Sequence, residues 1–533
     1  MLAVVGTVLA ATHSEPYTQS HYAKRRNPSA TIKAQPLAPS TTKLRVTYMS
    51  IESPAELRHF NAARREGTHI SRGRARVLIT LVAVGSCLAL SASVAMSPLL
   101  LTTMGQFNTG ITAATWTLTI VGLSAGLASV VLPRLSDSHG DKHILVFGAL
   151  AIVVGALLSA LSQGLFGLIV GQALTGFGTV GAYSGVGMIR RHLHDSYMGA
   201  AIAALTIGAG VGLGLGYLVG GLALEYVSLH GFFWIRAVVY AVYLLAIVAL
   251  VPKDHLDDLD PSVRPNVVGT TMLGAWAILL LLAFGRGPDW GWLDWRTSFI
   301  GLSALIIAVA WFFHERRSAA PVFDPSLMKN PAVRGVLVGS FLLNASFAIW
   351  LVLAPTYLQA NPDQVGYGLA MSLLQTGFAM LPEGIAFAIG CALAARAIER
   401  GRSVLWTAVG ALFSTVGLIE LAALQASLWE SIIGFVLFGF GFGAFGTGVT
   451  GVLQSAVGEE RAGMALSLDS VTSSLGSGFG GPIAAVALAS FLLADGVTPS
   501  REGYLPGYLV AAALATIGGV VTLATYRGVR ARR

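Results

Sequence analysis

ITAATWTLTIVGLSAGLASVVLPRLSDSHGDKHILVFGALAIVVGALLSALS, residues 111–162, places two apolar blocks on either side of a short charged turn, Pro133–Lys142. At a rise of about 1.5 Å per residue, a helical block of about 20 residues crosses a hydrocarbon core of about 30 Å. The turn is too short to do more than reverse the chain. The same pattern repeats along the rest of the sequence. Spans fall at about 77–101, 112–133, 143–163, 165–189, 197–225, 231–252, 267–285 and 297–314, then at about 333–358, 369–395, 403–424, 428–452, 463–493 and 506–526. The reading is an all-α polytopic membrane protein of about fourteen transmembrane helices; the length of the fifth and thirteenth spans implies tilt or extension beyond the bilayer.

Composition supports this class and excludes others. Of 533 residues, 54% are hydrophobic and 11% charged, against roughly 25% charged in a soluble domain. The net charge of +8 does not indicate nucleic acid, because Lys and Arg lie between apolar blocks rather than in one aromatic-laced patch. Cys87 and Cys391 each sit inside an apolar block far apart in sequence, so they read as small packing residues, not as a disulfide or metal ligands. Leu2 to Ala11 is apolar but lacks a basic flank, and Met49 is a second possible start. Residues 1–74 are expected to be a disordered cytoplasmic tail.

An even number of spans puts both termini on one side, and the basic residues say which. Arg72, Arg74 and Arg76 precede the first span, and Arg527, Arg530, Arg532 and Arg533 follow the last. Alternate loops on that side carry Arg134, Lys142, Arg190, Arg191, Lys253, Arg264, Arg316, Arg317, Lys329, Arg396, Arg400 and Arg402, whereas the opposite loops hold Arg286, Arg296 and Arg501. Both termini are therefore expected in the cytoplasm of a cell whose inner or plasma membrane holds the protein. Trp290, Trp292 and Trp295, in an outer loop, fit an interfacial aromatic anchor. The organisation expected is a tail (1–74), an N-terminal six-helix half (75–252), a linker with two inserted helices (253–331), a C-terminal six-helix half (332–526) and a basic cytoplasmic tail (527–533).

Chemistry within the membrane has few carriers. Gly208, Gly212, Gly216 and Gly220 recur at steps of four, beside Gly210, Gly214 and Gly221. Such a small-residue face is either a static close contact or a surface that slides during alternating access. A charge left alone at the bilayer centre costs at least about 2.5 kcal/mol, so Glu383, directly after Pro382 near the middle of its span, is the leading candidate for a proton or cation-substrate site. A neutral, hydrogen-bonded structural role is the alternative. Asp469 lies about 10 Å into its span and faces either the cavity or the rim. Glu420, Glu225 and Arg236 lie near outer ends, with Arg236 a possible partner of Glu225. Trp116, Gln172, Tyr183, Tyr217, Asn344 and Gln375 are candidate cavity-lining residues. His192, His194 and Asp195 sit beside Arg190 and Arg191 in a short loop and are not read as a metal site.

The turn Pro133-Arg-Leu-Ser-Asp137-Ser-His-Gly140-Asp-Lys142 resembles the signature cytoplasmic loop of the major facilitator superfamily. Asp137, Gly140 and Lys142 match, while Pro133 replaces a Gly and Asp141 an Arg. The resemblance implies a gating loop in which Asp137 latches the positive end of a neighbouring helix. Gly216-Tyr-Leu-Val-Gly220-Gly221, His314-Glu315-Arg316-Arg317 through Pro321 to Asp324, and Tyr357-Leu358-Gln359 are similar to the fourteen-span drug:proton antiporter branch. So is the pair of spans inserted between two six-helix halves. Tyr217 stands where that branch has Pro, Gln172 where it has Arg, and Ala89 where it has Asp. Either coupling then falls to Glu383, with Asp469 as a second candidate, or the protein is not proton-driven.

The function expected is secondary active transport, a proton-coupled efflux of small amphipathic or cationic compounds by alternating access. It uses the proton gradient and no cofactor, and the protein is expected to act as a monomer on a small-molecule substrate. Uptake or facilitated diffusion of a metabolite is the alternative, and a non-transporting membrane sensor a remote one. No HExxH, Ser/His/Asp set or intramembrane acid cluster points to an enzyme.

Overall fold

A computed structural model describes residues 72–183, 185, 188–189, 197–252, 266–318, 321, 327–423, 427–493 and 499–530. The fourteen long helices are α1 Arg72–Val94, α2 Trp116–His139, α3 Asp141–Leu161, α4 Leu165–Tyr183, α5 Met198–Tyr226, α6 Leu229–Leu250 and α7 Val267–Trp290, followed by α8 Trp295–Arg317, α9 Pro331–Gln359, α10 Leu373–Glu399, α11 Ser403–Ala423, α12 Leu428–Val457, α13 Glu459–Ala489 and α14 Tyr504–Arg530. Among the described residues, 13 helices are long and apolar enough to cross a membrane, and the apolar part of α4 is a shorter fourteenth. The helix count expected from hydropathy is met, and no strand occurs among these residues. The tail before Arg72 and the loop with His192, His194 and Asp195 lie outside the described residues.

Helix starts follow local chemistry. Ser372 and Gln375 form a capping box on α10, as Ser427 and Glu430 do on α12, each satisfying backbone donors that a helix N-terminus leaves open. Asn330 caps α9, with Pro331 at the first helical turn. The first span departs from a single helix. α1 ends at Val94, and the chain resumes as a short helix, Leu100–Phe107. Pro98 has no N–H to give the Val94 carbonyl, which accepts instead from Ser97 N at 2.9 Å.

The helices pack as two bundles. In the first, α1 lies against α4 and α5, α4 also against α2 and α3, and α3 against α6. In the second, α9 lies against α13 and α14, α12 against α10 and α11, and α11 against α14. The bundles meet through α5 on α10 and α2 on α13. Helix α7 rests on both α2 and α13 across that seam, and α8 packs on α7. Burial follows this order: 78% of the apolar window of α9 is buried, against 11% of that of α8. The outer side of α8 shows Phe299, Leu302, Leu305, Ile306 and Val309, as a lipid-facing helix does. Arg286 lies over the Trp290 ring and Arg296 over Trp290 and Trp295, which ties the aromatic turn between α7 and α8 together.

The glycines of α5 divide into two rows. Gly208, Gly212 and Gly216 face α1, against Ala83, Cys87 and Ser91, and Gly220 meets Ala95 just beyond its end, so the row serves packing within the first bundle. Gly210, Gly214 and Gly221 face α10 and lie on the seam between bundles. Gly384 of α10 completes this contact: a Cβ there would stand 2.6 Å from Gly214 N and 3.0 Å from Gly210 O. Backbone cannot yield locally, so Gly384→Ala should destabilise the protein by about 1–3 kcal/mol. Gly446→Ala, where a Cβ meets nothing within 4 Å, should stay within about 0.5 kcal/mol. Thermal unfolding of the two purified variants in one detergent checks this, and equal midpoints would refute the tight seam.

Candidate functional site

Helix α10 begins at the Ser372 cap and carries Pro382 in its interior. Proline cannot donate to the carbonyl four residues earlier, so the backbone loosens one residue before Glu383. Glu383 is fully buried, and neither carboxyl oxygen has a hydrogen-bond partner among the described residues. Gly439 of α12 makes room for it, because a Cβ at that position would stand 2.8 Å from Glu383 Cγ. From the other side comes Tyr217 of α5, fully buried with an unpartnered hydroxyl, whose electrostatic neighbour is Glu383. One and a half turns before Glu383, Gly377 lets α10 approach the Tyr217 backbone, 2.8 Å from a built Cβ.

An aromatic wall continues from Tyr217. Its ring meets Trp350 of α9 edge-on at 6.0 Å, and Trp350 meets Phe435 at 5.4 Å and Phe438 at 5.5 Å on α12. Phe347 stacks on Phe442 at 4.5 Å, and Phe442 meets Phe387 of α10 at 5.8 Å. Trp350 is fully buried and its indole N–H has no partner. The sequence reading did not select Trp350. The spacing of Phe347 and Trp350 on α9, and of Phe435, Phe438 and Phe442 on α12, marks one face of each helix, but only the fold shows that those faces meet.

This arrangement has two chemical states. A carboxyl buried without donors is held far more cheaply neutral than charged. Its ionised form needs a cation beside it, and aromatic faces stabilise a cation that has left water.

The remaining candidates lie in other settings. Asp469 of α13 is half-buried, lies beside Ser340 of α9 and keeps Oδ1 without a hydrogen-bond partner among the described residues. Asn344 donates to the Ser340 carbonyl at 2.9 Å, so Asn344, Ser340 and Asp469 form one polar row between α9 and α13. Gln172 is fully buried in the α3–α4 contact, its Nε2 3.5 Å from Ser159 Oγ and its Oε1 unpartnered. Trp116 packs beside Gly285 of the inserted α7 rather than in a central space. Gln375 serves the α10 cap, its Oε1 accepting from Ser372 N. Glu420 is half-buried with Oε2 unpartnered. Arg236 is buried and its three guanidinium nitrogens have no hydrogen-bond partner among the described residues; the side chains of Glu225, its expected partner, and of Tyr183 lie outside them.

The turn between α2 and α3 owes its shape to Gly140, whose φ of +94° suits glycine. Its N–H closes α2 on Ser136 O at 2.8 Å, and the Ser136 hydroxyl donates to Asp141. Lys142 reaches α6, donating to the Val248 carbonyl at 3.0 Å and the Val251 carbonyl at 2.6 Å. It thus caps the negative end of that helix. The side chain of Asp137, the expected latch, lies outside the described residues.

The family model of the Major Facilitator Superfamily matches residues 81–481. The drug efflux pump JefA of Mycobacterium tuberculosis is 27% identical over 398 residues, covering 72% of this chain and 75% of that protein. The puromycin resistance protein pur8 of Streptomyces alboniger is 26% identical over 431 residues, covering 77% and 82%. The tetracenomycin C resistance and export protein of Streptomyces glaucescens is 25% identical over 378 residues, covering 69% and 67%. Among solved structures, the peptide transporter POT in complex with alafosfalin aligns with a TM-score of 0.60 at 16% identity, over 84% of this chain and 93% of the other. The same architecture thus holds in a protein of very different sequence. With helix count, two-bundle packing and family match in agreement, this chain belongs to the major facilitator superfamily, is a transporter rather than an enzyme, and is multidrug-efflux-like in its relatives.

Proposed function

We propose that the protein is a proton-coupled exporter of small amphipathic or cationic compounds, working by alternating access between its two bundles. The observation that carries this is Glu383, a fully buried carboxyl without a hydrogen-bond partner, set against an aromatic wall beside the seam. A substrate cation and a proton compete for one carboxyl, so binding one releases the other. That competition is antiport in its simplest form. Its driving force is the proton gradient, and no cofactor is needed. Resistance and efflux functions named for the relatives favour export over uptake. Asp469, in its row with Ser340 and Asn344, is the second candidate for proton movement.

Orientation follows the charges. Arg72, Lys142, Arg316, Arg317, Lys329, Arg396, Arg400 and Arg402 gather where α1 and α9 begin, and Arg286, Arg296 and Arg501 lie at the opposite end. The basic end is the cytoplasmic one, which puts both termini in the cytoplasm of a cell membrane-embedded monomer.

In proteoliposomes, wild-type protein should exchange a cationic dye for protons at a rate that rises when the compartment opposite the dye is made more acidic. Glu383→Gln, which stays neutral at every pH, should lose at least about tenfold of that exchange and its response to pH. Normal, pH-dependent exchange by Glu383→Gln would end the proposal. For orientation, a cysteine at Arg402 should react with an impermeant thiol reagent only after cells are opened, and one at Asp363 in intact cells. The reverse pattern would invert the topology.

A further inference from the structure

Helix α9 carries Pro355 in its interior. Proline has no N–H, so the Leu351 carbonyl, four residues earlier, loses the donor a helix would give it. In a buried setting such a carbonyl is costly unless another donor reaches it. The donor comes from the other bundle: the hydroxyl of Ser97, itself fully buried, donates to Leu351 O. Ser97 is free to do so because it lies in the break between α1 and the helix Leu100–Phe107, where Pro98 interrupts regular structure. A second bond runs alongside, from Gln359 Nε2 at the end of α9 to the Pro98 carbonyl at 2.9 Å. Gly220 of α5 holds the broken segment from behind, 2.7 Å from a built Cβ to Ala95 O.

We infer that Ser97, completed by Gln359, is a gating residue that locks the two bundles together at the end opposite the basic one, and that the proline-made vacancy at Leu351 is what it locks onto. Two interrupted helices match one another: the break after α1 offers the Ser97 hydroxyl to the Leu351 carbonyl that Pro355 leaves without its helix donor, and offers its own Pro98 carbonyl to Gln359 at the end of α9. Alternating access requires this end to open, and opening separates both hydrogen bonds. The stability of the closed state is thereby set by a contact on α9 at Leu351, the residue after Trp350 of the aromatic wall. The inference rests on the alternating-access reading, but not on Glu383 or on any coupling ion.

Spin-label distances test it without substrate or gradient. Labels go on Asn108→Cys and Gln364→Cys, both exposed beyond the ends of the segments concerned, with Cys87→Ala and Cys391→Ala as background. Ser97→Ala should raise the population with long label separation about fivefold, as expected for one buried hydrogen bond. Ser97→Thr, which keeps the hydroxyl, should match the parent. In a Pro355→Ala background, where α9 supplies its own donor to Leu351, removing the Ser97 hydroxyl should change that population less than about twofold. A monodisperse Ser97→Ala protein with the parent's distances overturns the inference, as does an equal effect of Ser97→Ala with and without Pro355. If Glu383→Gln fails to alter transport while these distances shift as stated, the lock stands and only the coupling proposal falls.

Discussion

A hydrocarbon layer offers no water to an unpaired N–H or C=O, and every part of this molecule answers to that constraint. Regular helices meet it internally, which is why the membrane-crossing segments described here are helical. Prolines break the rule locally. Pro98, Pro133, Pro355, Pro382 and Pro482 each lie in or between these helices. Where the freed group is traced, another part of the chain takes it: Ser97 N serves Val94, and the Ser97 hydroxyl serves Leu351. A backbone defect inside one helix thus becomes a bond between two bundles.

Close packing in lipid has a second requirement, small side chains where helices cross, because apolar surface gains little by leaving lipid for protein. The two glycine rows of α5 meet it on two faces at once. One row seats α5 against α1 inside its own bundle, and the other against α10 on the seam. Helix α12 repeats the arrangement, with Gly439 and Gly443 towards α10 and Gly441 and Gly448 towards α11. α5 and α12 are therefore close on both sides, and Glu383 enters between α10 and α12 only because Gly439 lacks a side chain.

The buried carboxyl is the costly element in this frame. Beside Glu383 the chain places Tyr217, with an unpartnered hydroxyl and a ring against Trp350, and no cation acts on the carboxyl among the described residues. A permanent ion pair would stabilise one state; an unpaired acid stays responsive to whatever positive group arrives. Lys142 shows the contrast at the basic end, where a cation is bound firmly to the carbonyls of α6 and serves structure.

Hydropathy and charge are local properties, so the sequence by itself determined the all-α membrane class and the helix number, and marked Glu383 and Asp469 as acids within spans. Loop positions were also legible, down to the turn at Gly140. Facing was not. Steps of four mark Gly208, Gly212, Gly216 and Gly220 as one face of α5 with Gly210, Gly214 and Gly221 beside it, but only three-dimensional packing assigns Gly212 to α1 and Gly214 to α10. Gln375 looked like a cavity residue, but a cap three residues back claims its side chain. Trp350 sits in an unbroken apolar run, and nothing in that run says that Tyr217, 133 positions earlier in the chain, lies against its ring. Near-uniform apolarity makes each helix face look alike in sequence; only the tertiary contacts, set by which neighbour can approach each glycine, decide which residues meet.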